Sequence, residues 1–521
     1  MNHLPVMVVL LPLLVAAVLL LVERRGIVVQ RALSMGGVVA LAAMACMLAA
    51  QADRGDTLVY LLGDWPARLG IALMADRLGA LMVLATALLA IPCLLHACAG
   101  WDRRAPHFHA LFQLQLMGLN GAFLTGDLFN LFVFFEVLLI ASYGLLLSGG
   151  RGARMRAGLH YVVFNITAST LFLVALGLLY GMTGTLNMAE MALRVAAIAP
   201  EDAALVRAAA GILLVVFCSK AALLPLYLWL PQTYTRAPAA VAALFAVMTK
   251  VGVYAVLRVY TLVFGADAGA LGGWAFDWLL PAAIATLVLA TLGALAAPTL
   301  RALTAYLVMA SAATLFIAVA LATPASVAAG LYYLLHSTFV AAALFLVADM
   351  VRRVHAQARR TGTPVETRAL ALPGLLFLVA AVSVSGLPPL SGFIGKLLLL
   401  DAVPASQVFV VWTVVLATSL LTVVALARAG SRTFWEGDFA ATPSEVQPRP
   451  AAVAGDAAAR PGHGGTRLAA TLLLLGYGVA LTVGASPVLR YAQAAAVQVL
   501  TPGDTIEAVL AATPRLREPS P

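Results

Sequence analysis

Apolar residues along this chain neither alternate with polar ones nor recur at the period of a half-exposed helix. They run unbroken for about twenty residues at a time, stop at a short polar or arginine-bearing connection, and resume. A helix needs about that length to cross the hydrocarbon layer, where it satisfies its own backbone groups. The pattern therefore predicts an all-α polytopic membrane protein with spans at about 4–22, 33–51, 72–96, 108–126, 128–148, 160–181, 205–228, 238–260, 275–297, 301–322, 326–349, 371–400, 405–427 and 468–486. That makes fourteen, an even count, which puts both termini on one side of the membrane. The twelfth run is long for one span and carries Gly386, Pro388, Pro389, Gly392 and Gly395, so it predicts a helix broken inside the membrane.

Composition agrees. Of 521 residues, 63% are hydrophobic and 11% charged, more apolar surface than a water-soluble fold has interior to hide it in. A net charge of +9 points to nucleic acid in a soluble chain, but here the arginines sit in short connections, where they set topology instead. Odd-numbered connections carry twenty of them, including Arg24, Arg25, Arg31, Arg103, Arg104, Arg151, Arg301, Arg352, Arg353, Arg449, Arg460 and Arg467. Even-numbered connections, neighbouring span ends and the C-terminal tail carry nine, Arg515 and Arg517 among them. Cytoplasmic connections are the arginine-rich ones, so both termini are expected outside.

The first apolar run lacks a basic region before it and a small-residue cleavage site after it, and reads as a retained span rather than a signal peptide. Cys46, Cys93, Cys98 and Cys218 lie in or beside apolar runs without paired metal spacing and read as packing residues. No glycine-rich nucleotide loop occurs, and no cofactor or metal is implied. The stretch 436–465 reads as a polar linker before a detached last helix at 468–486.

The chemistry lies in what the apolar runs contain. Only three of the 32 basic residues are lysines, Lys220, Lys250 and Lys396, and all three fall within spans. A buried ammonium can release its proton whereas a guanidinium stays charged, so lysine is the cation suited to a proton relay. Lys250 has no carboxylate in its own helix, and its partner must come from another helix or from water. Lys220 stands five residues before Pro225, which loosens the helix beside it. The competing reading, in which the lysines snorkel to the headgroups, conflicts with their depth.

Glu136 sits in the middle of "LFNLFVFFEVLLIASYGL". Carboxylates inside a membrane are costly and usually line a pathway or pair with a base, and Lys220 or Lys250 on adjacent helices is the expected partner. His336, midway along its span, is a bridge between Lys250 and Lys396 or a histidine satisfied by a neighbouring hydroxyl. Asn130, His160 and Asn165 are accessory candidates. Asp349 and Asp401 are either mouths of a pathway or interfacial charges.

Three stretches, "GDLFNLFVFFEVLLIASYGL", "KAALLPLYLWLPQTYTRAPAAVAALFAVMTKVGVYAVLR" and "SVSGLPPLSGFIGK", resemble the D subunits of the multisubunit monovalent cation/proton antiporters (Mrp, Mnh or Pha type), within the antiporter-like membrane subunits of respiratory complex I. The resemblance spans roughly 1–430. It implies an N-terminal three-helix segment over 1–100 and two inverted five-helix repeats over 108–260 and 275–427, each with a broken helix. It implies that Glu136, Lys220, Lys250, His336 and Lys396 form a polar axis for protons, in a bacterial inner (plasma) membrane complex with other membrane subunits, exchanging Na⁺ or K⁺ for protons. Complex I counterparts often carry an acidic residue after "WLP", where this chain has Gln232, and one carries glutamate at the position of Lys396; both differences favour the antiporter branch. A proton-pumping subunit of complex I or of a membrane hydrogenase is the second reading, and a scaffold subunit with static ion pairs the third.

Overall fold

The apolar runs become long helices. The computed structural model describes residues 3–150, 152–435 and 464–514. The linker expected over 436–465 therefore lies, up to residue 463, outside the described residues, as do Arg151, Arg449, Arg460, Arg515 and Arg517. In chain order the first helices are Leu4–Leu21, Ile27–Ala52, Arg77–Cys98, Phe108–Leu124, Leu128–Leu147 and Ala153–Thr183. A short amphipathic helix, Met188–Ala196, precedes Ala203–Lys220, Trp229–Arg236, Ala239–Phe245 and Met248–Leu262. Then come Trp274–Ala296, Leu300–Ala320, Pro324–Thr361, Thr367–Ser385, Ser391–Asp401, Val408–Phe434, Gly464–Val483, Ala485–Leu500 and Gly503–Leu510. Among the described residues, 13 helical segments are at least 18 residues long and apolar enough to cross a membrane. The span expected at 108–126 is the 17-residue helix Phe108–Leu124, one residue below that length. The protein is an all-α polytopic membrane protein.

Four details depart from the sequence pattern. Residues 72–75, merged by hydropathy into the third span, form a strand paired antiparallel with Leu58–Leu61, Leu58 opposite Ala75 and Leu61 opposite Ala72. The helix begins only after Asp76, whose carboxylate accepts from Gly79 N at 2.8 Å as an N-cap. The seventh run ends as helix at Lys220 rather than continuing to 228. The eighth is two helices joined at Ala246–Val247, where Ala246 N, Val247 N and Lys250 N bond three residues back in a tightened turn directly before Lys250. After residue 483 the chain continues into two helices that apolar length did not reveal.

Burial grades from centre to rim. The most apolar windows of 239–262 and 324–361 are 100% and 94% buried, whereas those of Leu4–Leu21 and Val408–Phe434 are 33% and 28% buried, so only the former have protein on every side. The odd-numbered connections meet at one end. Arg31 of the first grips Asp102 of the third, Arg154 of the fifth donates to Arg236 O of the seventh at 3.0 Å, and Arg467 of the thirteenth donates to Ala99 O at 2.7 Å. At the opposite end, the strand pair gathers Thr505 against Thr57, Tyr491 against Arg77 O, and Asn187 against Ala67 O. His3 also contacts Tyr60 there, so both ends of the described chain lie at the strand-pair end.

Candidate functional site

The two broken helices end alike. Ala203–Lys220 closes with Ala222 N bonded to Ser219 O and Leu223 N to Cys218 O; Thr367–Ser385 closes with Gly386 N bonded to Ser383 O and Leu387 N to Val382 O. Each pair of bonds is a Schellman motif, with the residue after the cap in the left-handed region: Ala222 at φ 60° and Gly386 at φ 77°. Alanine holds that conformation at a cost of about 1 to 2 kcal/mol that glycine avoids.

Such a helix end leaves carbonyls without helical partners and carries the negative pole of the macrodipole, a favourable place for a cation. Both lysines lie beside one, but only Lys396 bonds an end carbonyl. Lys220 is the last residue of its half-helix. Lys396 lies on Ser391–Asp401, beyond the second break, and reaches back so that Nζ donates to Ser385 O at 2.9 Å and to Ser419 Oγ at 3.0 Å.

Glu136 and Lys220 do not form a direct ion pair among the described residues. Ser169 on the Ala153–Thr183 helix donates its hydroxyl to Glu136 Oε1, while Lys220 Nζ lies 3.5 Å from the same Ser169 oxygen and 3.3 Å from Asn165 Oδ1. The ammonium also sits 6.0 Å from the centre of the Phe135 ring. Lys250 is fully buried and donates to Ser311 Oγ at 2.8 Å, a partner from another helix. His336, equally enclosed, shares a 2.9 Å hydrogen bond between Nδ1 and Ser391 Oγ at the start of the second half-helix. Gly392 makes that approach feasible: a Cβ there would collide with Ser383 O and lie 2.8 Å from His336 Nε2.

The accessory candidates separate. Asn165 joins Lys220. Asn130 does not; its amide donates to Thr125 Oγ1 at 3.0 Å in the turn that starts its helix. His160 is exposed on the outer face of its helix, and Asp401 is exposed at the end of the second half-helix. Asp349 is buried at the arginine-rich end, held by Arg352 at 2.7 Å, Arg353 at 2.5 Å, Arg301 at 3.4 Å and His96 at 3.3 Å.

Sequence reasoning missed the serines. Ser169 contacts both Glu136 and Lys220, and Ser311, Ser391 and Ser419 each contact one further ionisable group, yet serine in a membrane helix commonly bonds its own backbone and carries no distinguishing signal. It also missed the bidentate pair of Arg258 with Asp76, at 2.5 and 2.6 Å, although an arginine inside "VYAVLRVYTL" is a buried charge that demands a partner.

Outside the spans, two carboxylates are tuned. Burial pushes Asp102 upward, but the hydrogen bonds from Arg31, at 2.6 and 2.8 Å, and from His109 outweigh it and hold the carboxyl below its ordinary range. Glu190 behaves likewise: burial raises it, and the bonds from Arg194 and Thr185 bring it below. Donor atoms of Cys98, Asp102 and His109 lie within 4.8 Å of one another, but Arg31 occupies both Asp102 oxygens and its charge opposes a metal cation there.

Residues 125–422 match the family described as NADH:quinone oxidoreductase/Mrp antiporter, transmembrane. The chain is 39% identical to the D subunit of a probable K⁺/H⁺ antiporter of Rhizobium meliloti (strain 1021), over 98% of each chain. It is 35% identical to the D subunit of a Na⁺/H⁺ antiporter of Alkalihalophilus pseudofirmus (strain ATCC BAA-2126 / JCM 17055 / OF4), over 98% of this chain and 100% of that one. In three dimensions it matches a chain of the Mrp complex from Dietzia sp. DQ12-45-1b with a TM-score of 0.84 and 28% identity, covering 98% of this chain and 100% of the other. Full-length similarity of this kind, on a chain with a lysine at each of two broken helices, shows that the protein belongs to the D-type membrane subunits of the multisubunit monovalent cation/proton antiporters, within the NADH:quinone oxidoreductase/Mrp antiporter family.

Proposed function

We propose that the chain is the proton-translocating membrane subunit of a multisubunit Na⁺(K⁺)/H⁺ antiporter in a bacterial inner membrane, working with other membrane subunits. The observation that carries this is the succession of ionisable groups within the spans, buried Lys220, Lys250 and His336 and half-buried Glu136 and Lys396, each bonded to a serine hydroxyl on a neighbouring element. A hydroxyl both donates and accepts, so it passes a proton without itself holding charge. Lysine and glutamate offer little to coordinate an alkali cation along this line, and the three ammonium groups repel one; the Na⁺ or K⁺ path is assigned to a partner or a shared interface.

Two inverted repeats over 108–260 and 275–427 fit the order of elements. In each, a tightly packed pair (Phe108–Leu124 with Leu128–Leu147, Trp274–Ala296 with Leu300–Ala320) precedes a long helix, a broken helix with a Schellman stop, and a closing helix. The arginine-rich end is assigned to the cytoplasm, which puts both termini outside.

The test is cation-dependent proton exchange in inverted vesicles carrying the whole complex. Glu136→Gln keeps size and hydrogen bonding but removes the titrating charge, and is expected to abolish exchange at unchanged assembly. Normal exchange by that variant at matched complex abundance overturns the relay, and quinone-dependent pumping by the native complex overturns the antiporter assignment.

A further inference from the structure

Most buried threonines in the spans return their hydroxyls to the carbonyl four residues earlier. Thr183, Thr261, Thr286, Thr291, Thr304 and Thr418 do so at 2.6–2.8 Å. Thr249 does not. It is 0% exposed, and its hydroxyl has no hydrogen-bond partner. The carbonyl it would ordinarily use, Phe245 O, accepts instead from Tyr234 OH at 2.8 Å, and the helix is interrupted between them at Ala246–Val247. A buried hydroxyl without a partner costs about 1 to 3 kcal/mol.

The position of this hydroxyl gives it a use. Gly252, one turn further on, abuts the end of the Lys220 helix, where a Cβ would lie 2.7 Å from both Phe217 O and Ala221 N. Thr249 shares that side of the helix, since residues three apart are neighbours on one face. Farther along, Tyr260 OH bonds Ala210 O, so the two helices run antiparallel. Counting ten residues toward the break on each from that pair reaches Lys250 and Lys220, which therefore stand at about the same level. Their side chains diverge: Lys250 turns to Ser311, and Lys220 to Asn165 and Ser169. Ser169 touches both Glu136 and Lys220, whereas among the described residues no hydroxyl touches both Lys220 and Lys250; Thr249, on the side of its helix that faces the Lys220 helix, is the unpartnered hydroxyl at their level.

We propose that Thr249 holds a water molecule between Lys220 and Lys250 and so positions the proton transfer between them. The water takes a proton from the Lys220 ammonium as it gives one of its own to the neutral Lys250 amine, and the Thr249 hydroxyl fixes its oxygen with a third hydrogen bond. Charge moves by one lysine and the water is regenerated. Thr249 is a positioning residue, acting through the water, and the inference rests on the relay proposed above.

Valine is the near-isosteric replacement, and deleting an unpartnered buried hydroxyl from a packing position is neutral or stabilising. The experiment compares Thr249→Val, Thr249→Ser and Lys250→Ala in the complete complex in inverted vesicles, with assembled complex quantified for each. Thr249→Val is expected to assemble at least as well as the parent yet exchange about tenfold more slowly or worse, and Thr249→Ser to remain within about twofold. Parental exchange by Thr249→Val while Lys250→Ala is inactive overturns this inference alone; parental exchange by both overturns the relay as well. Equal loss in the valine and serine variants, or loss of the assembled complex with valine, shows a structural role and also overturns it.

Discussion

Glu136 and Lys220 meet through a single hydroxyl. Ser169 donates to the carboxylate and stands 3.5 Å from the ammonium, so the charges are coupled without touching. A direct buried pair holds its charges fixed and is strongly destabilised when one partner is lost. An interposed hydroxyl lets either group change its charge while the other keeps a partner, which is the arrangement a transfer step requires.

Ser169→Ala removes that link and leaves both charges in place. Exchange is expected to fall about tenfold to a hundredfold with the complex still assembled, as measured by cation-induced proton movement in inverted vesicles. Unchanged exchange shows that Glu136 and Lys220 communicate by another route.

Lys250 distinguishes a moving proton from a fixed charge. Arginine preserves the positive charge but does not readily release a proton, so Lys250→Arg and Lys250→Ala are both expected to exchange poorly at equal assembly. Full exchange by the arginine variant assigns Lys250 a static electrostatic role.

Gly392→Ala tests the approach of the second half-helix to His336. The added Cβ runs into Ser383 O, whereas one at Gly374 meets only Phe434, at 3.5 Å. The first substitution is expected to destabilise the protein by about 1 to 3 kcal/mol or more through overpacking, and Gly374→Ala to be near neutral. Thermal unfolding of the purified complex in detergent measures both, and equal midpoints refute the close packing.

The Asp102–Arg31 pair carries a pH signature. Because the folded carboxyl titrates below its ordinary range, near pH 4 when unperturbed, its stabilisation is complete above that range and disappears as pH falls through the lowered folded value. Asp102→Asn is therefore expected to be less stable at neutral pH by about 1.5 to 3 kcal/mol. The gap to the parent should close on acidification below about pH 4. A gap that stays constant across that range shows that packing, and not charge, holds the corner together.

The ionisable candidates were legible in the sequence because burial is expensive. A lysine in "FAVMTKVGVYAVL" or a glutamate in "LFNLFVFFEVLLIASYGL" stands against an apolar background that exposes it, and the same contrast of composition marks the spans. Proline and glycine marked the second break for similar reasons. At the first break Pro225 signals a loosened helix after Lys220, but the stopping point is not legible, because Ala222 takes the left-handed position where glycine would be the signal.

What each charge touches belongs to the tertiary structure. Ser169, Ser311, Ser391 and Ser419 become partners only because helices distant in sequence bring them to a lysine, a glutamate or a histidine, and nothing in their local sequence distinguishes them from serines bonded to their own turn. Arg258 and Asp76, 182 residues apart, are paired by the same packing. Hydrophobic length and the cost of burial are local properties of the chain, and they determined the spans and the candidate ions. Hydrogen-bond geometry depends on which helices lie side by side, and only the folded arrangement decided that Glu136 reaches Lys220 through a hydroxyl and that Lys396 reaches back to the carbonyl of Ser385.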